Sequence, residues 1–446
     1  MDYDEAIRFL QSFQDMERGS QASARPSMSL ASMRSLLARL QDPQRGRHTV
    51  HVTGSKGKGS VASMVEGILR RAGTRTALYT SPHLHSYTER IALDGMPVSP
   101  EEFGAAIEAI RPAVEEEQRA SEGAVSTFGI LTALFFWLVR AQAPSVDWQI
   151  VEVGLGGTYD ATNVFEAPEV VVITPISLEH THILGDTHAA IARDKSGIIK
   201  AGSVCVLAPQ TDPSVEPVIR QRCEEVGARL VDVGALYETD VLERYPYGQS
   251  FHVQGPGRTR ELRTPMLGKH QAENAATAVA VAEVLRELGH DIPEQAIVDG
   301  IARTRLLGRM EVMGQAPLIV ADGAHNPASA AALAATLRDY FEWRRCYFVL
   351  GATKDKDIRG IGFKIASLAE LIVCCKFDNP RSEDPYAMIQ EVGFLGPPAM
   401  AEESVAAAID TATSHAGEHD LVCITGSLYV VAEAREHLLG KSVAQS

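Results

Sequence analysis

The segment His51-Val52-Thr53-Gly54-Ser55-Lys56-Gly57-Lys58-Gly59-Ser60 runs from β-branched residues into a glycine-rich turn that holds lysine, and Val61-Ala62-Ser63-Met64-Val65-Glu66 after it reads as a helix. This is the layout of a phosphate-binding loop. Gly54, Gly57 and Gly59 let the backbone turn tightly and aim its N–H groups inward, and a helix N-terminus favours an anion. Lys58 adds a mobile positive charge for the outer phosphates, and Ser60 a hydroxyl. The spacing departs from G-x-x-x-x-G-K-[ST] because Gly59 separates the lysine from the serine. The bland alternative is a glycine-rich turn with an incidental lysine. A second chemical signal follows the strand-like run Asp147-Trp148-Gln149-Ile150-Val151, where Glu152 precedes Val153-Gly154-Leu155-Gly156-Gly157. A carboxylate at the end of a buried strand, followed by glycines, suits a magnesium site beside a nucleotide.

Further along, Val170-Val171-Val172-Ile173-Thr174 leads to Glu179-His180-Thr181, and then to Ile191-Ala192-Arg193-Asp194-Lys195-Ser196-Gly197. These segments, with Tyr79-Thr80-Ser81-Pro82-His83-Leu84 and Asp322-Gly323-Ala324-His325-Asn326-Pro327, resemble the folylpolyglutamate synthase and dihydrofolate synthase branch of the Mur ligases. So do Gly268-Lys269-His270-Gln271, Asn274-Ala275-Ala276, Gly308-Arg309-Met310-Glu311, Lys354-Asp355-Lys356-Asp357 and Thr425-Gly426-Ser427-Leu428-Tyr429. The matches keep the family's order from the first strand nearly to the C-terminus. Individually several are weak; jointly they are specific.

The resemblance implies an ATP-dependent ligase. A carboxylate is a poor electrophile at neutral pH, so the γ-phosphoryl group of ATP is transferred to it, and the amino group of L-glutamate attacks the acyl phosphate. Such a transfer needs in-line placement and cations over the phosphate oxygens. The loop Gly54, Ser55, Lys56, Gly57, Lys58, Gly59 and Ser60 would hold the phosphates. Ser81, Glu152 and His180 match the positions of the Mg2+ site. Imidazole is an unusual magnesium ligand, and by itself His180 would read as a helix-capping or core histidine. Lys195 looks like a solvated helical lysine beside Asp194, yet it matches the lysine that this family often converts to N6-carboxylysine, which helps to hold a second magnesium. Asn274, Arg309 and Asp322 match nucleotide-holding positions, Arg309 being suited to charge on the transferred phosphoryl group. His325 and Ser427 match positions near the incoming glutamate. The plain readings are a helix-surface amide for Asn274, a tight turn for Asp322-Gly323, a helix start for His325-Asn326-Pro327 and a charged loop for Lys354 to Asp357.

Departures from the family pattern are Ser55-Lys56 for threonine and asparagine, Thr158 for an arginine, Gly129 for a glutamate, and Glu179 where aspartate is more frequent. None removes a phosphate or metal residue. They bear on the pterin side, which motifs mark least.

The elements that must position these groups alternate between strand and helix. After helices over Tyr3–Phe13 and Ser32–Leu40, with a polar loop from Arg18 to Ser29 between them, strands near 48–53, 75–79, 147–152 and 170–174 alternate with helical stretches such as Glu101–Ile110 and Phe128–Arg140. That predicts a mainly parallel sheet covered on both faces. From Tyr237 to Pro265 short runs and turns predict a small antiparallel sheet, followed by an alanine-rich helix over Ala272–Leu288. A second alternation has strands at Leu318–Val320, Tyr347–Leu350, Leu371–Cys374 and Leu421–Ile424. The fold expected is therefore α/β and Mur-ligase-like. Residues 1–304 would form a P-loop ATPase-type domain with the small antiparallel sheet, and residues 305–446 a Rossmann-like glutamate ligase domain. The gap between them is the expected reaction site.

With 446 residues the chain is long for one core. Its 42 basic and 57 acidic residues leave a net charge of −15, which argues against nonspecific nucleic-acid binding. No run is apolar enough to span a membrane, and Met1-Asp2-Tyr3-Asp4-Glu5 is no signal peptide. The cysteines show no metal-ligand spacing and read as reduced thiols of a cytoplasmic monomer. Three functions stay open: a ligase joining L-glutamate to dihydropteroate or a reduced folate, a cell-wall-precursor ligase, and a non-catalytic ATP-binding regulator. The second carries an extra uridine-nucleotide domain, for which the stretch before His51 is too short.

Overall fold

The structure, a computed structural model, describes residues 1–15 and 30–440; the polar loop expected from Arg18 to Ser29 lies outside the described residues. The expected strand at 48–53 is His48–Thr53, and its Val50 and Val52 are fully buried. It lies between Trp148–Glu152 and Val170–Ile173, parallel to both, so Val52 pairs with Glu152 and Thr53 with Ile173. These apolar runs are buried on both faces, as a parallel sheet requires. In spatial order the eight-stranded sheet reads Met96–Pro97, Ile91–Leu93, Thr76–Tyr79, Trp148–Glu152, His48–Thr53, Val170–Ile173, Val204–Leu207 and Arg229–Asp232. The chain leaves His48–Thr53 toward one edge and later fills the other. The carboxyl ends of the middle strands thus form a topological switch point, where open α/β sheets bind ligands.

Two edge strands, Ile91–Leu93 and Met96–Pro97, were not expected, being too short to display a period. The dipeptide between them, Asp94-Gly95, has both φ values positive (49° and 80°), the signature of a tight hairpin turn. The helix expected over Glu101–Ile110 extends from Pro100 to Ala120, opened by a capping box in which Ser99 and Glu102 each accept the other's backbone N–H. The first helix ends at Gln11 rather than Phe13, and the second covers Leu30–Arg39.

The small antiparallel sheet is present as Glu238–Tyr245, Gly248–Gly255 and Arg258–Thr264. The alanine-rich helix, Lys269–Glu287, is buried along nearly its whole length, because it lies between that sheet and the large one; Phe251, Val253 and Leu262 share one core with Ala272, Val279 and Val50. Small side chains let the layers approach. Beyond it, Glu311–Gln315, Leu318–Ala321, Leu421–Thr425, Cys346–Leu350, Ala369–Cys375 and Ala399–Glu402 form a six-stranded sheet, antiparallel at its first pair and parallel thereafter. Its two faces carry separate apolar cores. The six cysteines are free and buried, with Cys374 and Cys375 inside this sheet.

The helix that starts at Lys58 is held by an unusually close crossing. A methyl group on Gly300, in the helix Glu294–Arg303, would lie 2.6 Å from the Ile68 backbone, and one on Gly67 would lie 3.0 Å from the Gly300 carbonyl oxygen. Gly300→Ala should therefore destabilise the protein by about 1–3 kcal/mol, the usual cost of overpacking against atoms that cannot move. The urea midpoint should fall; an unchanged midpoint would mean that the helices separate at no cost.

Candidate active site

Where His48–Thr53 ends, the chain must reverse beside two other strand ends. Gly54 adopts a φ of 147°, and a methyl group there would lie 1.9 Å from the Thr174 hydroxyl. Only glycine fits. Gly57 is left-handed (φ 80°) and precedes the helix Lys58–Arg71; a methyl group there would lie 2.5 Å from the Asn274 side-chain oxygen. Asn274 is therefore no surface amide: it is buried, donates to Gln271 Oε1 at 3.0 Å, and abuts the loop.

The loop does not point all of its N–H groups inward, as the sequence suggests. Those of Ser55 and Lys56 donate to the Pro175 carbonyl, at 3.0 and 3.2 Å. The donors left over for an anion are instead those of the first helical turn, from Lys58 to Ser60, which an α-helix cannot pair with itself. The Lys58 ammonium folds back to the Gly54 carbonyl, at 3.1 Å.

Lys195 corrects the expectation of a solvated pair with Asp194. It is 1% exposed, and its ammonium donates to the same Gly54 carbonyl at 2.8 Å and to Glu179 Oε1 at 3.0 Å. Burial lowers its pKa, and Glu179 opposes that shift. Burial would raise the Glu179 carboxyl in turn, but Lys195, Lys58 and His180 outweigh it and hold Glu179 below its ordinary value. Asp194 serves otherwise: its backbone carbonyl accepts the Thr158 N–H and hydroxyl, at 3.1 and 2.7 Å.

Glu152 is buried at its strand end, and its Oε2 accepts the Ser81 backbone N–H at 3.1 Å. A methyl group on Gly59 would lie 3.5 Å from that oxygen, so the carboxylate faces the phosphate loop. Burial raises its pKa, opposed by Lys58, the Ser81 N–H and Arg309. His180 sits at φ 45°, and its carbonyl, not its imidazole, starts the short helix Thr181–Leu184. Burial lowers the imidazole to about 4, so it is neutral at pH 7 and able to ligate. Among the described residues no three His, Cys, Asp or Glu side chains form a complete metal site. One carboxylate, a hydroxyl and an imidazole are the partial set expected where phosphate oxygens and water complete a magnesium shell.

The opposite wall begins at Gly308. Asp322 is more than a turn residue: Oδ2 accepts the Met310 N–H and Oδ1 the Ala324 N–H, both at 2.9 Å, which clamps the Arg309 segment to a strand end. Arg309 Nη1 would lie 3.2 Å from a methyl group on Gly323. His325 Nδ1 donates to the Gly323 carbonyl at 2.9 Å, which leaves Nε2 as an acceptor, and burial holds the ring neutral with a pKa of about 4. Asn326 caps the helix Pro327–Tyr340, so the helix-start reading also holds. Ser427 caps Leu428–Leu439, accepting the Tyr429 N–H at 3.2 Å. In the charged loop, Asp355 is tied to Thr353, Lys356 and Arg381, and Lys356 faces His180 and His325 closely enough to depress both.

Both walls line one cleft of about 970 Å³. Ser55 through Ser60, Ser81, Glu152, His180, Asn274, Arg309, Asp322, His325 and Ser427 all face it; Gly54 and Lys195 lie behind the loop. Two features escaped the sequence reading. His270, quoted in the sequence only within the Gly268–Gln271 match and given no role there, also lines the cleft, lowered to about 4 by burial with Arg309 and Lys56 adding to the effect. At the other end Met33, Leu36, Val125 and Phe128 form an apolar wall, with Phe128 lying so close to Gly154 that a methyl group there would meet its ring at 2.5 Å. The phenylalanine after Thr127 and the glycine after Val153 were each visible, but nothing in the sequence pairs them.

Residues 52–282 match the Mur ligase middle domain and residues 308–428 the Mur ligase glutamate ligase domain. The dihydrofolate synthase/folylpolyglutamate synthase of Bacillus subtilis is 34% identical over 420 residues, 92% of this chain and 94% of that protein. A probable bifunctional folylpolyglutamate synthase/dihydropteroate synthase of Haloferax volcanii is 38% identical over 98% of this chain, which spans only 50% of the length of that relative. Among solved structures, the Mycobacterium tuberculosis folylpolyglutamate synthase complexed with ADP superposes with a TM-score of 0.87, at 34% identity and 97% coverage of both chains. Escherichia coli FolC in complex with DHPP and ADP superposes with a TM-score of 0.85 at 28% identity, over 100% of this chain and 99% of that one.

Lys56 generates a pH prediction. Its ammonium lines the cleft, and burial lowers it to about 8 against the pull of Glu179. Below that pH the charge is present; above it the free protein loses the charge, and a bound triphosphate must recapture a proton. The apparent affinity for ATP should fall as pH rises through about 8, and Lys56→Arg, which stays charged, should flatten the fall. An identical pH dependence of the KM for ATP in that variant would take Lys56 off the phosphate path.

Proposed function

The chain belongs to the folylpolyglutamate synthase/dihydrofolate synthase family of Mur ligases, and from that premise we propose that its cleft accepts both dihydropteroate and reduced folates as the carboxylate partner. It is an ATP-dependent ligase of L-glutamate. The full-length likeness to named synthases favours this reading over a cell-wall-precursor ligase or a non-catalytic regulator. The observation that carries it is the single cleft, in which the phosphate loop faces Arg309, His325 and Ser427.

In the proposed mechanism ATP lies along the first turn of the helix Lys58–Arg71, with Asn274 and Asp322 holding the nucleotide. Lys58 exchanges the Gly54 carbonyl for a phosphate oxygen, a stronger partner because it is charged. Arg309 faces the transferred phosphoryl group. Its donor fork stabilises the equatorial oxygens as the acceptor carboxylate displaces ADP and becomes an acyl phosphate. The neutral His325, with Nε2 free to accept, and Ser427 orient the glutamate amine, whose attack expels phosphate and forms the amide. Enclosure between the walls keeps water from the acyl phosphate. Magnesium, held by Glu152, Ser81 and His180 with phosphate oxygens, would supply charge neutralisation over the triphosphate. The pterin ring of the acceptor would lie on the apolar wall at Met33 and Phe128.

Residues 1–304 and 305–446 are proposed as the two domains, one for ATP and the metal, the other for glutamate. The working form is proposed as a monomer. Among the described residues no helix is long and apolar enough to cross a membrane, and buried free thiols suit the reducing cytoplasm we propose for it. N6-carboxylation of Lys195 is the remaining part of the reading. Its support is a buried amine of lowered pKa, whose neutral form can react with carbon dioxide. The carbamate would face Glu179, so a second magnesium would have to stand between the two anions.

Two measurements test this. Lys195→Ala should lose most activity and regain part with added small carboxylates, and electron density should extend beyond the Lys195 nitrogen; an active alanine variant would remove Lys195 from the mechanism. Phosphate release with ATP and L-glutamate should depend on dihydropteroate or a reduced folate and not on a cell-wall nucleotide peptide. Turnover with folates alone would narrow the function to chain extension, and turnover with the peptide alone would overturn it.

A further inference from the structure

Arg435 lies in the helix Leu428–Leu439, about two turns beyond Ser427, and is 3% exposed. Its guanidinium reaches in two directions. Nη1 pairs with the Glu311 carboxylate, and Nε donates to His85 Nε2 at 3.3 Å. The other Glu311 oxygen accepts the Gly308 N–H at 2.8 Å and so closes the turn that carries Arg309. His85 belongs to the loop that carries Ser81. That loop is stiff, because the N–H groups of Leu84, His85 and Ser86 all end on the Glu89 carboxylate, at 2.8, 2.8 and 2.7 Å. Since His85 Nε2 accepts from Arg435, its proton sits on Nδ1, which faces Glu436 at 3.5 Å. Apolar contact joins the same three pieces. Leu84 packs against the core of the six-stranded sheet, and a methyl group on Gly308 would lie 3.0 Å from Val431, one turn before Arg435, and 3.8 Å from Leu84.

We propose that Arg435 is a positioning residue that ties the Arg309 turn to the Ser81 loop, so that the two ends of the phosphate path are placed together or not at all. A guanidinium at this depth is tolerable only when its donors are matched on more than one side. Glu311 supplies one match and His85 the other, so withdrawal of either wall leaves a buried charge half paired. Ser81 in turn donates its N–H to Glu152, so a displaced loop also disturbs that carboxylate. Arg435 does not line the cleft; it acts through Arg309 and Ser81, and the proposal rests on the roles given to those two residues.

The test is steady-state kinetics on the full chain with ATP, L-glutamate and a reduced folate or dihydropteroate. Arg435→Met, which keeps the stem, should lower kcat by about 10- to 100-fold, the penalty of a misplacement near 1 Å, while the KM for ATP rises by a smaller factor. His85→Ala should lower kcat as well, and the double variant should be no worse than Arg435→Met alone, since either change breaks the same tie. Should Arg435→Met lose its fold, Arg435→Lys keeps the charge on Glu311 but cannot bridge both partners, and it should show the same split with a near-normal Tm. Wild-type kcat in a folded Arg435 variant, or strictly multiplicative losses in the double variant, would overturn the proposal. Arg309→Ala and Ser81→Ala run in parallel separate the two failures. If both lose turnover while the folded Arg435 variant does not, the positioning claim alone falls; if both keep turnover, their proposed roles fall with it.

Discussion

The carbonyl oxygen of Gly54, at the end of the central strand, gathers two ammonium groups, Lys58 at 3.1 Å and Lys195 at 2.8 Å. While Lys195 is uncarboxylated the two ammonium groups are thus no more than about 6 Å apart, where like charges repel by about 3 kcal/mol at an effective dielectric of about 20. Glu179, 3.0 Å from Lys195, offsets that repulsion. The arrangement fixes three strand-end segments at once: the phosphate loop, the segment after Val170–Ile173 that carries Glu179 and His180, and the helix His188–Lys195. It also bears on the proposed exchange of Lys58. Lys195 keeps the carbonyl occupied, and departure of Lys58 toward a phosphate relieves a repulsion instead of stranding an acceptor.

The second wall is held by the opposite device, a carboxylate satisfied by backbone donors. Asp322 takes the N–H groups of Met310 and Ala324, and Gly323 donates to the Gly308 carbonyl at 3.0 Å. Burial raises the Asp322 carboxyl, and Arg309 with these donors works to keep it charged. An acid in this position can bind part of a nucleotide only through its remaining lone pairs, so it stiffens the Arg309 turn as much as it holds ligand. Phosphoryl transfer suits such a site, since the protein contributes placement and fixed charge and little covalent chemistry.

The sequence made the strand ends legible and the contacts between them illegible. Buried parallel strands are continuous apolar runs, and a loop of Gly54, Gly57 and Gly59 after one of them has few other uses. Glu152 was readable for the same reason. The Lys195–Glu179 pair was not, because the partner next to Lys195 in sequence is Asp194, while the partner in space comes from another strand end. Asn274 read as surface because an alanine-rich helix shows no polar face, and only the close approach of the loop at Gly57 reveals that it is buried. The hairpin at Asp94-Gly95 had its signal in that dipeptide, which the short flanking strands obscured.

The departures from the family pattern now fall into two groups. Beneath the phosphate loop the substitutes are absorbed by the protein itself: Glu179, one methylene longer than aspartate, reaches Lys195, Thr158 bonds to the Asp194 carbonyl, and the Ser55 hydroxyl donates to the Ser177 carbonyl at 3.0 Å. These changes alter how the loop is held and leave its chemistry in place. Lys56 and Gly129 line the cleft, as Ser55 and Glu179 also do, but what they change is the cleft itself. Lys56 adds charge where a triphosphate would lie. At Gly129 a methyl group would meet Ser126 at 3.4 Å and Met33 at 3.9 Å, ordinary contact distances, so the missing side chain leaves room beside the apolar wall without a hydrogen-bonding group to fill it. Discrimination among acceptors that share the same ATP and glutamate chemistry can come only from that end of the cleft, where shape and a few polar groups decide, and not from the loop that first identifies the chain.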